Sequence, residues 1–398
     1  MRIGMPTTSY PSYRGDAAGA FVRTLAVALA RRGHTIDIVA PSVGRDELLD
    51  DPGVRVHRVR YAPRLLERTF GRHGAPDNLA ADLLAWPGAL SFPLALARAI
   101  ATHEPAWDAI VSHFVVPTSI VAGTFARGRP HVAIAHGTDA HVAASIPGLA
   151  RRVIASASTL VCVSLALAER LAAKDAVIQA MGIDRDETRS MRCVDARRHA
   201  GLTGFAALSL SRLVPIKGID VAIRGVARMR DIELVVAGEG PERGRLEALA
   251  RSIGAPVRFV GQVEGEMRRA LLAGADVFVA PSRAIGTRVE GTPTSVLEAL
   301  AAGLPIVGTR VSGIADAVSH DAGLLSESSS PESIARDLEH LRSSSELRRS
   351  LSDGARRASA PYDADRVAAR FEKWLQGSTS TASLGNVGAS AEAGILDG

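Results

Sequence analysis

Cysteine, aromatic residues, lysine and long apolar runs are all scarce in this 398-residue chain. The two cysteines, Cys162 and Cys193, show no C-x-x-C spacing. That argues against a disulfide framework or a cysteine zinc site, and it suits a reducing compartment. Cys162 lies in the apolar run TLVCVSL and reads as a small buried hydrophobe. Phe, Trp and Tyr make up only 4%, too little for a base-stacking surface, so no nucleic-acid partner is expected. The most apolar stretch, LLAWPGALSFPLALARAIA over 83–101, is interrupted by Pro87, Pro93 and Arg98 and falls short of a clean membrane span. The first residues show no basic start with a long apolar core behind it, so no secretory signal is read there. A cytoplasmic protein is expected.

What is present is ordinary globular material: 46% apolar and 22% charged residues. The net charge of +5 favours anionic partners such as phosphates and nucleotides. Of 47 basic residues only Lys174, Lys217 and Lys373 are lysines. The arginine and alanine bias resembles that of a GC-rich genome, so much of the charge is solvated surface, and a lysine kept among so many arginines draws notice.

Short apolar runs alternate with helical patterns. RIGMP (2–6), TIDIVAP (35–41), VRVHRVR (54–60), DAIVSH (108–113), HVAIAHG (131–137) and TLVCVS (159–164) read as strands. AGAFVRTLAVALARRG (18–33) reads as a helix. A second series begins with AALSLSR (206–212) and continues through IELVVAG, VRFVG, DVFVAPS and PIVGT. Strands separated by helices imply parallel sheets. The expected class is α/β, with two Rossmann-like doubly wound domains facing a cleft. Their spans are 1–182 and 201–360, joined by a polar linker over 183–200. A helix over 361–376 packs back on the first domain, and a small polar tail over 377–398 is disordered. Ligands in such sheets bind beyond the carboxyl ends of the strands.

Four segments at strand ends carry candidate chemistry. In 289–307, Pro293 suits the first turn of a helix running to about Ala302, and the backbone at Gly291, Thr292 and Thr294 would offer N–H groups to an anion. Glu290 and Glu298, eight residues apart, are poor phosphate ligands but good acceptors for sugar and ribose hydroxyls. In SRLVPIKGID (211–220), Arg212 and Lys217 flank a turn; two cations at a strand's carboxyl end suit a diphosphate. In AHGTDAH (135–141), His136 and Asp139 would project into the cleft, and a metal reading with His141 ranks low. In RGDAAGAF (14–21), Gly15 and Gly19 would admit a phosphate. Each segment alone is equally compatible with caps, turns and solvated charge.

Their order and spacing resemble the GT-B-fold retaining glycosyltransferases of family 4, across roughly residues 1–376. The matching segments are the glycine-containing first loop, Gly33-His34-Thr35-Ile36, His136 to Asp139, Val161-Cys162-Val163-Ser164, Met181-Gly182-Ile183-Asp184, Arg212 to Gly218, Gly238 to Pro241, and the pair Glu290 and Glu298. Two departures stand out. Glu290-Gly291-Thr292-Pro293 replaces the common E-G-F-G, and Met181 replaces a common Asn. The resemblance implies that Arg212 and Lys217 bind the donor diphosphate and stabilise leaving-group charge. It implies that Glu290 holds the sugar hydroxyls and Glu298 the ribose. Gly291, Thr292 and Pro293 would line the sugar, Val263 would touch the base, His136 would contact the sugar and orient the acceptor, and Gly19 would leave room for phosphate. It implies front-face displacement with retention, no metal or other cofactor, and no enzymic nucleophile.

The alternatives are a nucleotide-sugar epimerase of the same architecture and a non-catalytic nucleotide-sugar binding protein. A dinucleotide site fits poorly, because GEGPERG (238–244) follows the second strand of its domain and spaces its third glycine one place late. The expected acceptor is a glycan, a lipid-linked glycan or a small molecule. VHRVRYAPRLLERTFGRHG (56–74) followed by the apolar 83–101 stretch also suggests peripheral contact with the inner face of a membrane. The competing reading puts Leu65, Leu66 and Phe70 in the core with solvated arginines around them.

Overall fold

The computed structural model describes residues 1–44, 46–47, 49–71, 74–189, 193–286 and 290–377. Apart from Gly377, the expected disordered tail lies outside them. Two all-parallel sheets form, each buried between helices. The first holds β1 (Arg2–Pro6), β2 (Thr35–Pro41), β3 (Val54–Val59), β4 (Ala109–His113), β5 (His131–Ala135), β6 (Thr159–Cys162) and β7 (Val177–Ile178), in the order β3-β2-β1-β4-β5-β6-β7. The second holds β8 (Phe205–Leu210), β9 (Ile232–Ala237), β10 (Val257–Gly261), β11 (Val277–Ala280), β12 (Ile306–Thr309) and β13 (Gly323–Ser326), in the order β10-β9-β8-β11-β12-β13. Strands such as β4 and β5 are buried along their whole length. That is why they appear as unbroken apolar runs rather than alternating ones. The edge strand β3 alternates Val with Arg and His and is mostly half-buried.

Three helices of the first domain matter below. α1 (Ala20–Arg31) buries Val22, Leu25, Ala26, Ala28 and Leu29 against the sheet. The short α2 (Ala75–Ala81) leads through a tight turn at Leu83–Ala85 into α3 (Trp86–His103). α3 buries Phe92, Leu96 and Ile100.

The region expected as a polar linker is not one. Residues 185–189 and 193–199 form short helices, and Ala196 and Ala200 pack into the core of the second domain with Leu271 and Leu272. Their apolar contacts are small alanines spaced among charged residues, too sparse to register as a period. The chain crosses between domains twice, and the two crossings are bonded together. Ile183 N donates to Tyr362 O at 2.8 Å, and Ala364 N donates to Ile183 O at 3.0 Å. Gly182 permits this approach, since a Cβ there would lie 2.9 Å from the Ala364 Cα. The closing helix Ala364–Leu375 then returns to the first domain. It buries Val367, Ala368, Phe371 and Leu375 in that core and pairs Glu372 with Arg32 and, at 3.2 Å, with His34.

Candidate active site

In both sheets the strand order reverses beside the first strand, between β1 and β4 and between β8 and β11. These switch points open a crevice past the carboxyl ends of the strands. The segments leaving β8 and β11 carry Arg212, Lys217, Ser282 and Glu290. Those leaving β4 and β5 carry His113 and His136.

The β8 exit is tightly constrained. Gly218 takes φ +64, and a Cβ there would lie 2.0 Å from the Pro281 carbonyl oxygen. No side chain fits, and the turn ending in Lys217 is thereby pressed against the β11 exit. The GEGP segment leaving β9 lies directly on the β8 exit. A Cβ on Gly238 would meet Ser211 O at 1.9 Å, and one on Gly240 would meet Leu213 O at 2.4 Å. These glycines allow two backbones to touch, which accounts for them without a phosphate.

The cations set against the crevice each hold a carboxylate. Lys217 Nζ pairs with Glu290 Oε1, with both side chains 15% exposed. Ser282 Oγ donates to the other carboxylate oxygen of Glu290 at 2.8 Å, and Ser312 Oγ donates to the Glu290 carbonyl. Arg212 reaches across to Asp77 of α2 in the opposite domain. Burial lowers the Arg212 pKa from its ordinary value, opposed by the nearby Glu290 charge. With 54% of its side-chain surface still open, the guanidinium stays charged. Glu298, inside the helix Thr294–Ala302, pairs with Arg268 of the helix Gly265–Gly274. Pro293 has φ −68 and ψ 127 and stands at the N-cap, one place before the expected first turn.

On the facing wall, His136 is half-buried in an aromatic box. Its ring lies 4.7 Å from both Phe21 and Phe114, and its Nε2 is 3.1 Å from His113 Nδ1. The surrounding protein pushes the His136 pKa down to about 3. Burial, reinforced by His136, also holds His113 well below 6.5. Both rings are therefore neutral near pH 7, and one shared proton joins them. The His113 Nε2 is buried without a hydrogen-bond partner. A buried orphan lone pair is better tolerated than a buried orphan N–H. The proton is thus assigned to His113 Nδ1, donating to His136 Nε2. That leaves His136 Nδ1–H as a donor for a ligand.

Asp139 does not project into the cleft as the sequence suggested. Its carboxylate is buried and accepts from Val115 N (2.7 Å), Gly137 N (2.8 Å) and His136 N (3.1 Å). It fixes the loop that carries His136. Burial raises its pKa despite those donors. With Asp139 so engaged, the trio with His141 does not assemble, and among the described residues no three His, Cys, Asp or Glu side chains are grouped to hold a metal.

The domains meet at the acidic loop. A Cβ on Gly291 would stand 2.8 Å from His136 O and 2.7 Å from Val163 Cγ2, so only glycine fits between them. Thr292 Oγ1 donates to Val163 O at 2.7 Å, and Leu165 N donates to Asp316 at 3.0 Å. On the other side, Tyr13 Oη donates to Glu264 at 3.3 Å. A Cβ on Gly15 would come 2.6 Å from the same carboxylate. Gly19, at φ +70, packs on the β1 exit, 2.4 Å from Ser9 O by the same measure.

Residues 17–181 match the glycosyl transferase 4-like domain, and residues 198–358 match the glycosyl transferases group 1 family. A D-inositol 3-phosphate glycosyltransferase of Acidothermus cellulolyticus is 30% identical over 362 residues, covering 80% of this chain and 76% of that protein. The chain belongs to the family 4 glycosyltransferases. Solved structures agree on the fold of this glycosyltransferase. Sucrose-phosphate synthase from Thermosynechococcus elongatus superposes with a TM-score of 0.75 at 19% identity, covering 94% of this chain and 98% of that one. Anabaena HepE in complex with UDP-glucose gives 0.73 at 18% identity, covering 95% and 100%. The architecture is GT-B.

Of the residues selected from the glycosyltransferase's sequence, Arg212, Lys217, Glu290, Gly291, Thr292 and His136 line the meeting of the two domains. Val263 departs from the expected base contact: its side chain is 8% exposed and packs in the core with Val235 and Val296. Its neighbour Glu264 is the residue that meets the other domain. Sequence reading missed Asp77, Arg268 and His113. Asp77 and Arg268 give no local signal, since each is defined by a partner far along the chain. His113 could have been found, as it ends an apolar strand in the way His136 does.

Proposed function

We propose that this glycosyltransferase retains anomeric configuration, needs no metal, and moves a hexosyl unit from a UDP- or GDP-sugar to a hydroxyl acceptor. That acceptor is a glycan, a lipid-linked glycan or a small molecule, met in the cytoplasm. The observation that carries this reading is the Lys217–Glu290 pair beside Arg212 at the second-domain switch point, closed over by His136 from the first domain. HepE, which shares the fold, holds UDP-glucose, and a donor of that class suits these groups. Its diphosphate would take Lys217 and Arg212 from their carboxylates. Glu290, released, would accept hydrogen bonds from sugar hydroxyls, and Glu298 from the ribose.

The chemistry is then a displacement at the anomeric carbon. The bond from that carbon to the β-phosphate oxygen breaks, and the acceptor oxygen bonds to the same face. The acceptor proton passes to the departing phosphate oxygen, and the nucleoside diphosphate leaves. Lys217 and Arg212 meet the charge that develops there, a role worth roughly 3–4 kcal/mol for a well-placed donor. His136 Nδ1–H orients the sugar. No step needs an enzymic nucleophile: once released, Glu290 is engaged by the sugar hydroxyls and Glu298 by the ribose, and the departing phosphate takes the acceptor proton.

The test is nucleoside diphosphate release from a panel of UDP- and GDP-sugars, with and without acceptors, in excess EDTA. Acceptor-dependent release in EDTA, with a product of unchanged anomeric configuration by NMR coupling, is expected. Release abolished by EDTA and restored by magnesium or manganese, or an inverted product, would overturn the mechanism. Epimerised donor without transfer, or binding without turnover, would favour the alternative readings.

A further inference from the structure

α3 is apolar on two faces, and the fold buries only one. Phe92, Leu96 and Ile100 are fully buried, yet Leu83, Leu90 and Leu94 on the outer side are 84%, 77% and 57% exposed, with Trp86 and Leu84 about half exposed beside them. Leu65, from the preceding loop, adds 79%. Every large apolar side chain more than half exposed among the described residues belongs to this one patch. Scattered apolar residues are normal on a protein surface; a contiguous stripe at helical spacing is not. Of the residues whose burial was in question, Phe70 is buried and Leu66 half-buried, while Leu65 points out.

The helical stretch Leu83–Ala106, 24 residues with a mean hydropathy of 1.4, is long and apolar enough to cross a membrane by length and composition. Its inner face rules out that arrangement here, because Gly88 is pressed against Thr69, Tyr61 and the Leu66 carbonyl and Phe92 sits in the domain core. The stripe can therefore only lie along a surface. Arg64 is exposed beside Leu65, and Arg98 continues the row from Leu90 and Leu94. Neither has an ion-pair partner among the described residues. Arg60 and Arg68 are paired with Glu67 and Asp82 and add no net charge, so the basic rim rests on Arg64 and Arg98.

We propose that the outer face of α3 and the Leu65 loop dock this enzyme onto an anionic bilayer surface, with the leucines and Trp86 in the headgroup boundary and the arginines on lipid phosphates. A second copy of the chain is the poorer occupant, since a two-fold contact through this face would gather the unpaired Arg64 and Arg98 of both copies into one desolvated interface. The patch is also continuous with the cleft. α2, whose first turn carries the Asp77 that meets Arg212 and whose end lies just before Leu83, is only about 10 Å long at 1.5 Å per residue. Resting on the reading of the cleft as a sugar-transfer site, this placement deepens it: the acceptor is an amphiphile whose hydroxyl head rises from the bilayer into the cleft mouth.

The test is flotation of the full chain with vesicles of phosphatidylcholine alone and of phosphatidylcholine with phosphatidylglycerol, at low and moderate ionic strength. Binding to the anionic vesicles, weakened by salt, is expected. It should fall at least tenfold in Leu90→Glu/Leu94→Glu and severalfold in Arg64→Glu/Arg98→Glu, with tryptophan fluorescence reporting an intact fold. Nucleotide release to a water-soluble acceptor should be unchanged in both variants. Absence of flotation at low salt would overturn docking while leaving sugar transfer standing. So would a concentration-dependent dimer abolished by Leu90→Glu/Leu94→Glu without any vesicle binding. Loss of soluble-acceptor turnover in the wild type would instead fault the transfer reading.

Discussion

Lowering the pH should unfold the first domain well before the acid range of its carboxylates, and buried histidines set the size of the effect. His131 is 1% exposed; its Nδ1 is 2.7 Å from the Ser156 carbonyl and its Nε2 2.7 Å from Ser112 Oγ. Burial pushes its pKa down to about 4. His136 is pushed to about 3 and His113 also lies well below 6.5. In the unfolded chain all three titrate near 6.5. Their neutral burial therefore contributes full stability above that value. The contribution is lost as pH falls from 6.5 towards the folded pKa values, because the unfolded state takes up protons that the native state refuses. Between pH 7 and 5, His131 and His136 each cost about 2 kcal/mol, roughly 4 kcal/mol together, and His113 adds to the loss in the same direction. That is comparable to the whole stability of many domains, about 5–15 kcal/mol. Asp139, whose pKa is raised by burial, works in the opposite direction, since the native state takes up its proton before the unfolded chain does. All three tryptophans, Trp86, Trp107 and Trp374, pack with the first domain. Their fluorescence in urea titrations at pH 7, 6 and 5 thus follows that domain alone. The His131→Asn variant should lose about 2 kcal/mol of the pH dependence, whatever its stability at pH 7. Parallel dependences in wild type and variant would refute the reasoning.

Two further perturbations bear on the cleft. Lys217→Ala should lower kcat by roughly 10²–10³ with the fold intact by circular dichroism, and Lys217→Arg should remain impaired, since a planar fork does not replace a compact ammonium; normal turnover of the arginine variant would remove Lys217 from the chemistry. Glu298→Ala should weaken binding of the nucleoside diphosphate by roughly tenfold, the loss of a hydrogen bond to a charged group, measured by calorimetry without sugar. Glu290→Ala should instead chiefly reduce turnover and discrimination among sugars.

The strands were readable because both faces of each sheet are covered, so burial writes itself as runs of Val, Ile and Ala. β7 and β13 were not, since VI is two residues long and GLLS mixes a glycine and a serine with its leucines. The helices over 185–189 and 193–199 hid behind charge, the core contacts there being single alanines. Within the cleft, Lys217, Glu290 and His136 were legible because strand ends followed by glycine turns mark where a doubly wound sheet binds. Asp77 was illegible for the opposite reason: 135 residues separate it from Arg212, and only the folded arrangement makes them neighbours. The exposed side of α3 shows the limit most clearly, for Leu90 and Phe92 are the same kind of residue in sequence and opposite in fate.

The pairing of charges in the cleft also bears on what the enzyme ignores. Arg212, Lys217 and Arg268 are not bare cations awaiting any anion; Asp77, Glu290 and Glu298 already occupy them. On the proposed reading, binding would be an exchange in which a newcomer must replace each carboxylate it displaces. Inorganic phosphate could satisfy a cation but has neither sugar hydroxyls for the released Glu290 nor a ribose for Glu298, so it would leave one carboxylate or more stranded in a partly dry crevice. A nucleotide sugar carries partners for both halves of the exchange. On the proposed reading the carboxylates would then act as competitors built into the protein, holding the cleft against the common small anions and yielding to a ligand that answers Glu290 and Glu298 together.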